Sequence, residues 1–119
     1  MLIVKSIEDE VLKAKKLARI KLAKNKNVDE FMPIAEADGF KIYIAAGKTI
    51  KSSHSRDLHE NPRDVFVLIL EGEMEFTFEN GKKQTVKDGE CFVLPKHMMH
   101  KCVFKKMTIA IEGVYEKKL

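Results

Sequence analysis

The sequence has few of the features that would place it in a disulfide-rich or membrane class. It contains only two cysteines, Cys91 and Cys102, which are too few for a disulfide framework, and we expect both to be free thiols. No apolar run approaches the length that spans a bilayer, and the opening segment MLIVKSIEDE is too short and too acidic for a signal peptide. These absences predict a cytoplasmic protein without a membrane partner.

Arginine is also scarce, since Arg19, Arg56 and Arg63 are the only ones among 22 basic residues. Arginine is the residue that recognises phosphate or guanine in a bidentate manner, and no aromatic residues are interleaved with the lysines. We therefore do not expect nucleic acid as a partner. The segment 1–26 holds eight basic and three acidic residues, a net charge of +5. A solvated helix face is the simpler interpretation, and a basic arm that contacts an anionic partner is the alternative.

The 119 residues are enough for one domain with its own apolar core. A helix is predicted from about Ile7 to about Ala18, because apolar residues recur on one helical face after the N-cap-like Ser6. A short edge strand is predicted at Ile3-Val4, and the stretch Lys21–Asp29 is interpreted as the frayed helix end and a linker. We thus expect an N-terminal strand and helix extension over residues 1–30 and a barrel domain over residues 31–119.

From residue 40 onward, short alternating segments are separated by turn residues. Between Glu71 and Asn80, apolar residues alternate with charged or polar ones, which is typical of a strand with one buried face. The pairs Asn80-Gly81 and Asp88-Gly89 predict hairpin turns. Further strands are predicted over residues 40–46, 90–94 and 107–115. The pattern predicts an antiparallel β-sandwich or barrel with the helix on its outside.

The segment GEMEFTFENGKKQTVKDGECFVLPKHMMH, which ends at His100, resembles the second half of a cupin domain, a small double-sheet jelly roll. Gly89, Pro95 and His100 match the second motif of that family in register, and His97 stands where the family has a glycine. In the first motif, Gly72 is the closing glycine. The resemblance implies an all-β fold, a double-stranded β-helix or jelly-roll barrel, with one short N-terminal α-helix.

The resemblance also implies a site inside the barrel. His59 stands at the position of the first histidine of the first motif, but Asn61 replaces the second histidine and Val65 replaces the glutamate. The implied metal ligands are therefore His59 and His100. The third is His54 from an upstream loop or, as the alternative, a loop carboxylate, Asp57 or Glu60. A divalent transition metal (Zn, Fe, Mn or Ni) is one expectation. A barrel without any metal is the equal alternative, because Val65 removes the charged ligand.

A small-molecule ligand is expected in the barrel in either case. The expected pocket is lined by Asn61, Phe76, Phe78, Val93, Met98 and Cys102. With a metal, the resemblance implies oxygenase or isomerase-type chemistry; without one, it implies a non-enzymatic binding or sensory module, so whether the protein is an enzyme stays open. Members of the family commonly form homodimers, and we expect one here.

Overall fold

The computed structural model describes residues 4–24, 28–48 and 58–115. These residues form one helix and eight strands, which are α1 (Ile7–Ala23), β1 (Val28–Ala37), β2 (Phe40–Lys48), β3 (Val65–Glu71), β4 (Glu73–Phe78), β5 (Lys83–Lys87), β6 (Cys91–Leu94), β7 (His100–Phe104) and β8 (Thr108–Tyr115). The strands build a five-stranded sheet in the order β1-β2-β8-β3-β6 and a three-stranded sheet in the order β5-β4-β7. All strand pairs are antiparallel. The predicted all-β jelly roll with one helix is confirmed.

Helix α1 lies on the outer face of the five-stranded sheet, as expected. It begins where the Ser6 hydroxyl accepts a hydrogen bond from the Asp9 amide at 3.4 Å, and three acidic residues in the first turn suit the positive end of the helix dipole. Ala14 and Ala18 are completely buried, so the helix axis can approach the sheet closely. The helix continues past the predicted end to Ala23, and it is neither long nor apolar enough to cross a membrane.

Strand β1 corrects the interpretation of Lys21–Asp29 as a frayed end and linker. The stretch is helical up to Ala23, and β1 begins at Val28 and pairs with β2 along its whole length. The two strands are joined at Asp38 and Gly39, whose φ angles of 47° and 84° are those of a tight hairpin turn. The predicted strand at Ile3-Val4 falls partly outside the described residues; Val4 is 87% exposed and belongs to no strand.

The five-stranded sheet separates two apolar clusters. One lies between the helix and the sheet and contains Ala14, Ile34, Ile44, Ala46 and Ile109. The other fills the space between the two sheets and contains Val67, Ile69, Met74, Phe76, Val86 and Ala110. Consecutive residues of β8 therefore pack into opposite clusters, which explains why Ile109 and Ala110 are both buried. The second cluster is the barrel interior in which a site was expected.

One end of the barrel interior is closed at the junction of β3 and β4. Gly72 there has a φ of +116° and lies directly against Thr108. The Thr108 hydroxyl donates to the Lys106 carbonyl at 2.8 Å and accepts from the Glu73 amide at 3.1 Å. These contacts pack the closed end tightly, so access to the interior is from the opposite end, where β4 ends and β7 begins.

Candidate functional site

The strand register decides which side chains of the three-stranded sheet face the barrel interior. Phe76 on β4 is buried, and it pairs with Cys102 on the neighbouring strand β7. Phe78 pairs with His100 one step nearer the open end. Because directly opposed residues of antiparallel strands share a face, all four side chains lie on the inner side. Three residues of the expected pocket, Phe76, Phe78 and Cys102, are thus brought together on one surface.

His59 and His100 are brought together by a β-bridge. The His59 amide donates to the His100 carbonyl at 2.8 Å, and the His100 amide donates to the His59 carbonyl at 2.9 Å. The two ring centroids are 4.4 Å apart, and the ring of Phe76 lies 6.1 Å from that of His100. His100 is 3% exposed, whereas His59 is half-buried. The pair therefore stands beside an aromatic wall, with His59 on the accessible side.

The orientation of the His100 ring is fixed by the backbone. Its Nδ1 atom lies 2.8 Å from the carbonyl oxygen of Met98. Since a carbonyl oxygen only accepts hydrogen bonds, Nδ1 carries the proton and donates it. In the neutral ring, Nε2 is then left with the lone pair, which can accept a hydrogen bond or bind a metal ion.

The described residues hold no complete metal site. Among residues 4–24, 28–48 and 58–115, no three His, Cys, Asp or Glu side chains are grouped so that they could hold an ion. His54, the expected third ligand, lies outside the described residues. Asn61 is half-buried, and its backbone carbonyl oxygen accepts a hydrogen bond from the backbone amide of His97 at 2.8 Å. In this part of the chain, His59 and His100 supply two imidazoles, and a metal would require a further ligand from elsewhere.

The assignment of Val93 to the pocket is wrong. Val93 is 57% exposed and pairs with Phe66 on the outer face of the five-stranded sheet. The alternate residues of β6, Phe92 and Leu94, face the interior instead, and the Phe92 ring meets Phe76 edge-on at 5.0 Å. All four residues of this strand are apolar, so the sequence holds no alternation from which its inner face could be read. Cys91 shares the outer face and is exposed.

An open groove of about 900 Å³ lies at the accessible end of the barrel. It is lined by Phe78, Glu79, Asn80, Gln84, Pro95, Lys96, His97, Met98 and Met99. Met98 is 39% exposed and therefore belongs to the rim of the groove rather than to the deep interior. His97 has a φ of 64°, a left-handed conformation that suits its place at a glycine position of the family, and its Nδ1 atom lies 3.3 Å from the Glu60 carboxylate on the protein surface.

Glu112 on β8 is a further polar residue of the interior that the sequence analysis did not select. The register pairs it with Tyr43 on β2 and with Val67 on β3, and Val67 belongs to the cluster between the sheets. Burial raises the pKa of the Glu112 carboxyl from 4.5 to about 7. The available signal was its position two residues after Ala110, on the same face of the strand, but glutamates are usually solvated.

Comparisons with known proteins agree with this architecture. The family model of the cupin domain matches residues 44–110. A cupin-2 domain containing protein from Shewanella frigidimarina superposes with a TM-score of 0.61 at 19% identity, over 89% of this chain and 99% of that chain.

Two other solved structures also superpose on most of this chain at low sequence identity. The EutQ protein of Clostridium difficile gives a TM-score of 0.64 at 12% identity, over 82% of this chain and 75% of that chain. A cupin superfamily protein from Desulfitobacterium hafniense gives 0.59 at 21% identity, over 75% and 78%. A search of the curated proteins finds no match. At these identities, the structural likeness shows a shared fold.

Proposed function

This chain belongs to the cupin family, and from that premise we propose that its barrel binds a small molecule with an aromatic or apolar body and at least one polar group. The observation that carries the proposal is the pairing of His59 and His100, whose rings lie 4.4 Å apart at the open end of an apolar interior. A concave apolar site with a few fixed polar groups is the usual form of a small-molecule site.

Each part of this ligand has a matching surface. The apolar body would lie against Phe76 and Phe78, whose rings are nearly parallel with centroids 6.5 Å apart. The polar group would meet the imidazoles, of which His100 is held in a defined orientation by the Met98 carbonyl. Because the opposite end of the barrel is closed by Gly72 and Thr108, the ligand would enter through the groove beside Met98 and Met99.

Removal of the His59 ring tests this proposal. We expect His59→Ala to weaken the binding of benzamide, used as a neutral aromatic probe, by about fivefold, the usual effect of one lost hydrogen bond. The β-bridge to His100 uses backbone atoms, so it should survive the substitution. The dissociation constant would be measured by ¹H–¹⁵N NMR titration, with shifts expected at the amides of β4 and β7.

His97→Asn is the matched control. It removes a second imidazole at the same end of the barrel, but this ring lies on the surface against Glu60. Asparagine tolerates the φ of 64° that this position requires, so the loop should keep its shape. We expect unchanged affinity for benzamide. Equal losses in the two variants, or shifts confined to the surface loops, would contradict binding inside the barrel.

A divalent transition metal held by His59, His100 and His54 is the second candidate. It is favoured by one observation: the Nδ1 of His100 donates to a backbone carbonyl, which places the lone pair of the neutral ring on Nε2, and this is the usual tautomer of a metal-bound histidine. When bound, such an ion would supply a Lewis acid or oxygen-activating centre for oxygenase or isomerase-type chemistry. The described residues contribute two of its ligands, and the third would be His54, which lies outside them.

Metal analysis separates the two candidates. If the second holds, protein supplied with Zn²⁺ and then dialysed should retain about one ion per chain, and His59→Ala should retain much less because two imidazoles hold a divalent ion poorly. His97→Asn should retain as much as the wild type. Protein that retains no ion and binds benzamide equally well with and without EDTA would support the metal-free binding module instead. The homodimer and the cytoplasmic location stay predictions.

A further inference from the structure

The inner face of the five-stranded sheet carries a small polar patch in an otherwise apolar wall. Glu112 lies directly opposite Tyr43 on β2, and Lys41 lies on the same face, one pair nearer the open end. Directly opposed side chains have Cβ atoms about 5 Å apart, so the Tyr43 hydroxyl and the Glu112 carboxyl can bind one ligand group together. On the other side of Glu112, β3 contributes the apolar residue Val67.

Glu112 and Tyr43 are both half-buried rather than fully buried. They belong to the inner face of a central pair of strands, whose other face packs against helix α1. We therefore expect their remaining exposed surface to face the space between the sheets. Burial raises the pKa of the Glu112 carboxyl to about 7, so near neutral pH about half of the molecules hold a neutral acid there.

Among residues 4–24, 28–48 and 58–115, few ionisable groups lie around Glu112. On its own sheet they are Tyr43 and Lys41, and the exposed Glu36 on β1 lies opposite Lys41 and thus farther from Glu112. The inner faces of β3 and β6 present apolar residues only, Val65, Val67, Ile69, Phe92 and Leu94. Across the barrel, β4 and β5 contribute no ionisable inner side chain, and β7 contributes Cys102 and His100 with the bridged His59.

We infer that Glu112 and Tyr43 bind the carboxylate of a small aromatic acid, with Glu112 donating a hydrogen bond from its protonated carboxyl. The inference rests on the proposed binding function and names the chemical class of the ligand. A carboxylic acid and a phenol are both donors, and a hydrogen bond from a neutral acid to a carboxylate is among the strongest that side chains make. The aromatic body of the ligand would then lie between this patch and Phe76 on the opposite sheet, and a second polar group of the ligand would meet His59 and His100.

Binding of such an anion depends on the proton of Glu112. With the carboxyl ionised, two carboxylates would face one another, and their repulsion would prevent binding. Affinity should therefore be constant below pH 7 and fall about tenfold per pH unit above it, which amounts to about thirtyfold between pH 6 and pH 8.5. Benzoate is ionised over this whole range, so the change reports the protein rather than the probe.

Glu112→Gln isolates this effect. The amide keeps the shape and a donor but does not titrate, so the dissociation constant for benzoate should differ by less than about twofold between the two pH values. Tyr43→Phe should weaken benzoate binding by about fivefold at both pH values and keep the thirtyfold ratio.

The experiment uses the full chain, ¹H–¹⁵N NMR titrations, and three probes of nearly equal shape: benzoate, benzamide and the cation benzamidine. Tightest binding of benzoate at pH 6, with a pH dependence that Glu112→Gln removes, supports the inference. A pH dependence that survives in Glu112→Gln, or a preference for benzamide or benzamidine, overturns it and leaves the proposed binding function standing. Failure of all three probes to bind the wild type overturns both.

A second measurement does not depend on a variant. In the wild type, the carboxyl carbon of Glu112 can be followed by ¹³C NMR as the pH is raised. If benzoate binds the protonated form, saturating benzoate should raise the pKa of Glu112 by about one unit or more. An unchanged or lowered pKa in the presence of bound benzoate overturns the inference even if Glu112→Gln fails to fold.

Discussion

Replacement of Gly72 by alanine is expected to lower the free energy of unfolding by more than about 3 kcal/mol, or to prevent folding. A φ of +116° lies in a region that is essentially restricted to glycine, and this alone costs about 1–3 kcal/mol. An added Cβ would also meet the Thr108 hydroxyl and would lie 2.6 Å from the Thr108 Cα and 2.8 Å from the Met107 carbonyl oxygen. Two of these three atoms belong to the backbone of β8 and its approach, so no side-chain rotation can relieve the contact.

Gly81→Ala is the matched control for this effect. Gly81 in the turn between β4 and β5 also has a positive φ, +82°, but nothing lies within 4 Å of the Cβ that would be added. We expect a loss of only about 1 kcal/mol, the cost of the left-handed conformation itself. Both values would be measured by urea unfolding. If the loss for Gly72→Ala lies within about 0.5 kcal/mol of the loss for Gly81→Ala, the closed end of the barrel can shift to make room for the added Cβ, and the prediction is wrong.

The turns and the strand with a charged face could be predicted from the sequence because their signals are local. Gly81 has a φ of +82° in the turn between the paired strands β4 and β5, so the hairpin predicted at Asn80-Gly81 is confirmed. Gly89 has a φ of +77°, but its turn leads from β5 in one sheet to β6 in the other, so the hairpin predicted at Asp88-Gly89 is wrong although a turn is present. In β4, the buried Met74 and Phe76 alternate with Glu73, Glu75 and Thr77, and this alternation predicts the inner face without any knowledge of the neighbouring strands. These elements, together with the resemblance of the second motif, were enough for the fold.

Local sequence signals were not enough to predict strand β1 or the inner face of strand β6. Pro33 interrupts the alternation of β1 and is accommodated because β1 is an edge strand with a register shift between Pro33 and Ala35. In β6 every residue is apolar, so only the pairing with β3 decides that Phe92 faces inward and Val93 outward. In both strands the deciding information lies in a partner strand.

The candidate site was predictable to the extent that the resemblance covers it. The motif positions of His59 and His100 pointed to a pair, and the β-bridge brings the two rings together. Glu112 was not predicted as a residue of the site because both faces of its strand are buried. The more apolar set of β8, which includes Ile109, packs under helix α1, whereas the less apolar set, which includes Ala110 and Glu112, faces the barrel. A rule that assigns the more apolar face to the barrel interior therefore selects the wrong side.

The Glu112→Gln variant is expected to be more stable than the wild type at neutral and alkaline pH. The wild-type carboxyl has a pKa of about 7 in the folded chain and an ordinary value of 4.5, so the folded state holds its proton more tightly than the unfolded state does. Its contribution to stability is complete below pH 4.5 and is lost as the pH rises towards 7. The loss reaches about 3 kcal/mol above pH 7, because each pKa unit corresponds to about 1.4 kcal/mol.

Urea unfolding of both proteins at pH 5 and pH 8 measures this difference. The stability gained by Glu112→Gln should grow by about 2–3 kcal/mol between the two pH values, whereas Glu79→Gln, which changes an exposed carboxyl, should stay within about 0.5 kcal/mol of the wild type at both. An equal gain at pH 5 and pH 8 would mean that Glu112 is well solvated, and the inferred carboxylate site would lose its support. A buried carboxyl that lowers stability at neutral pH is typical of a functional site, where binding is favoured at the cost of stability. If Glu112 binds a ligand carboxylate, benzoate should restore part of the lost stability of the wild type.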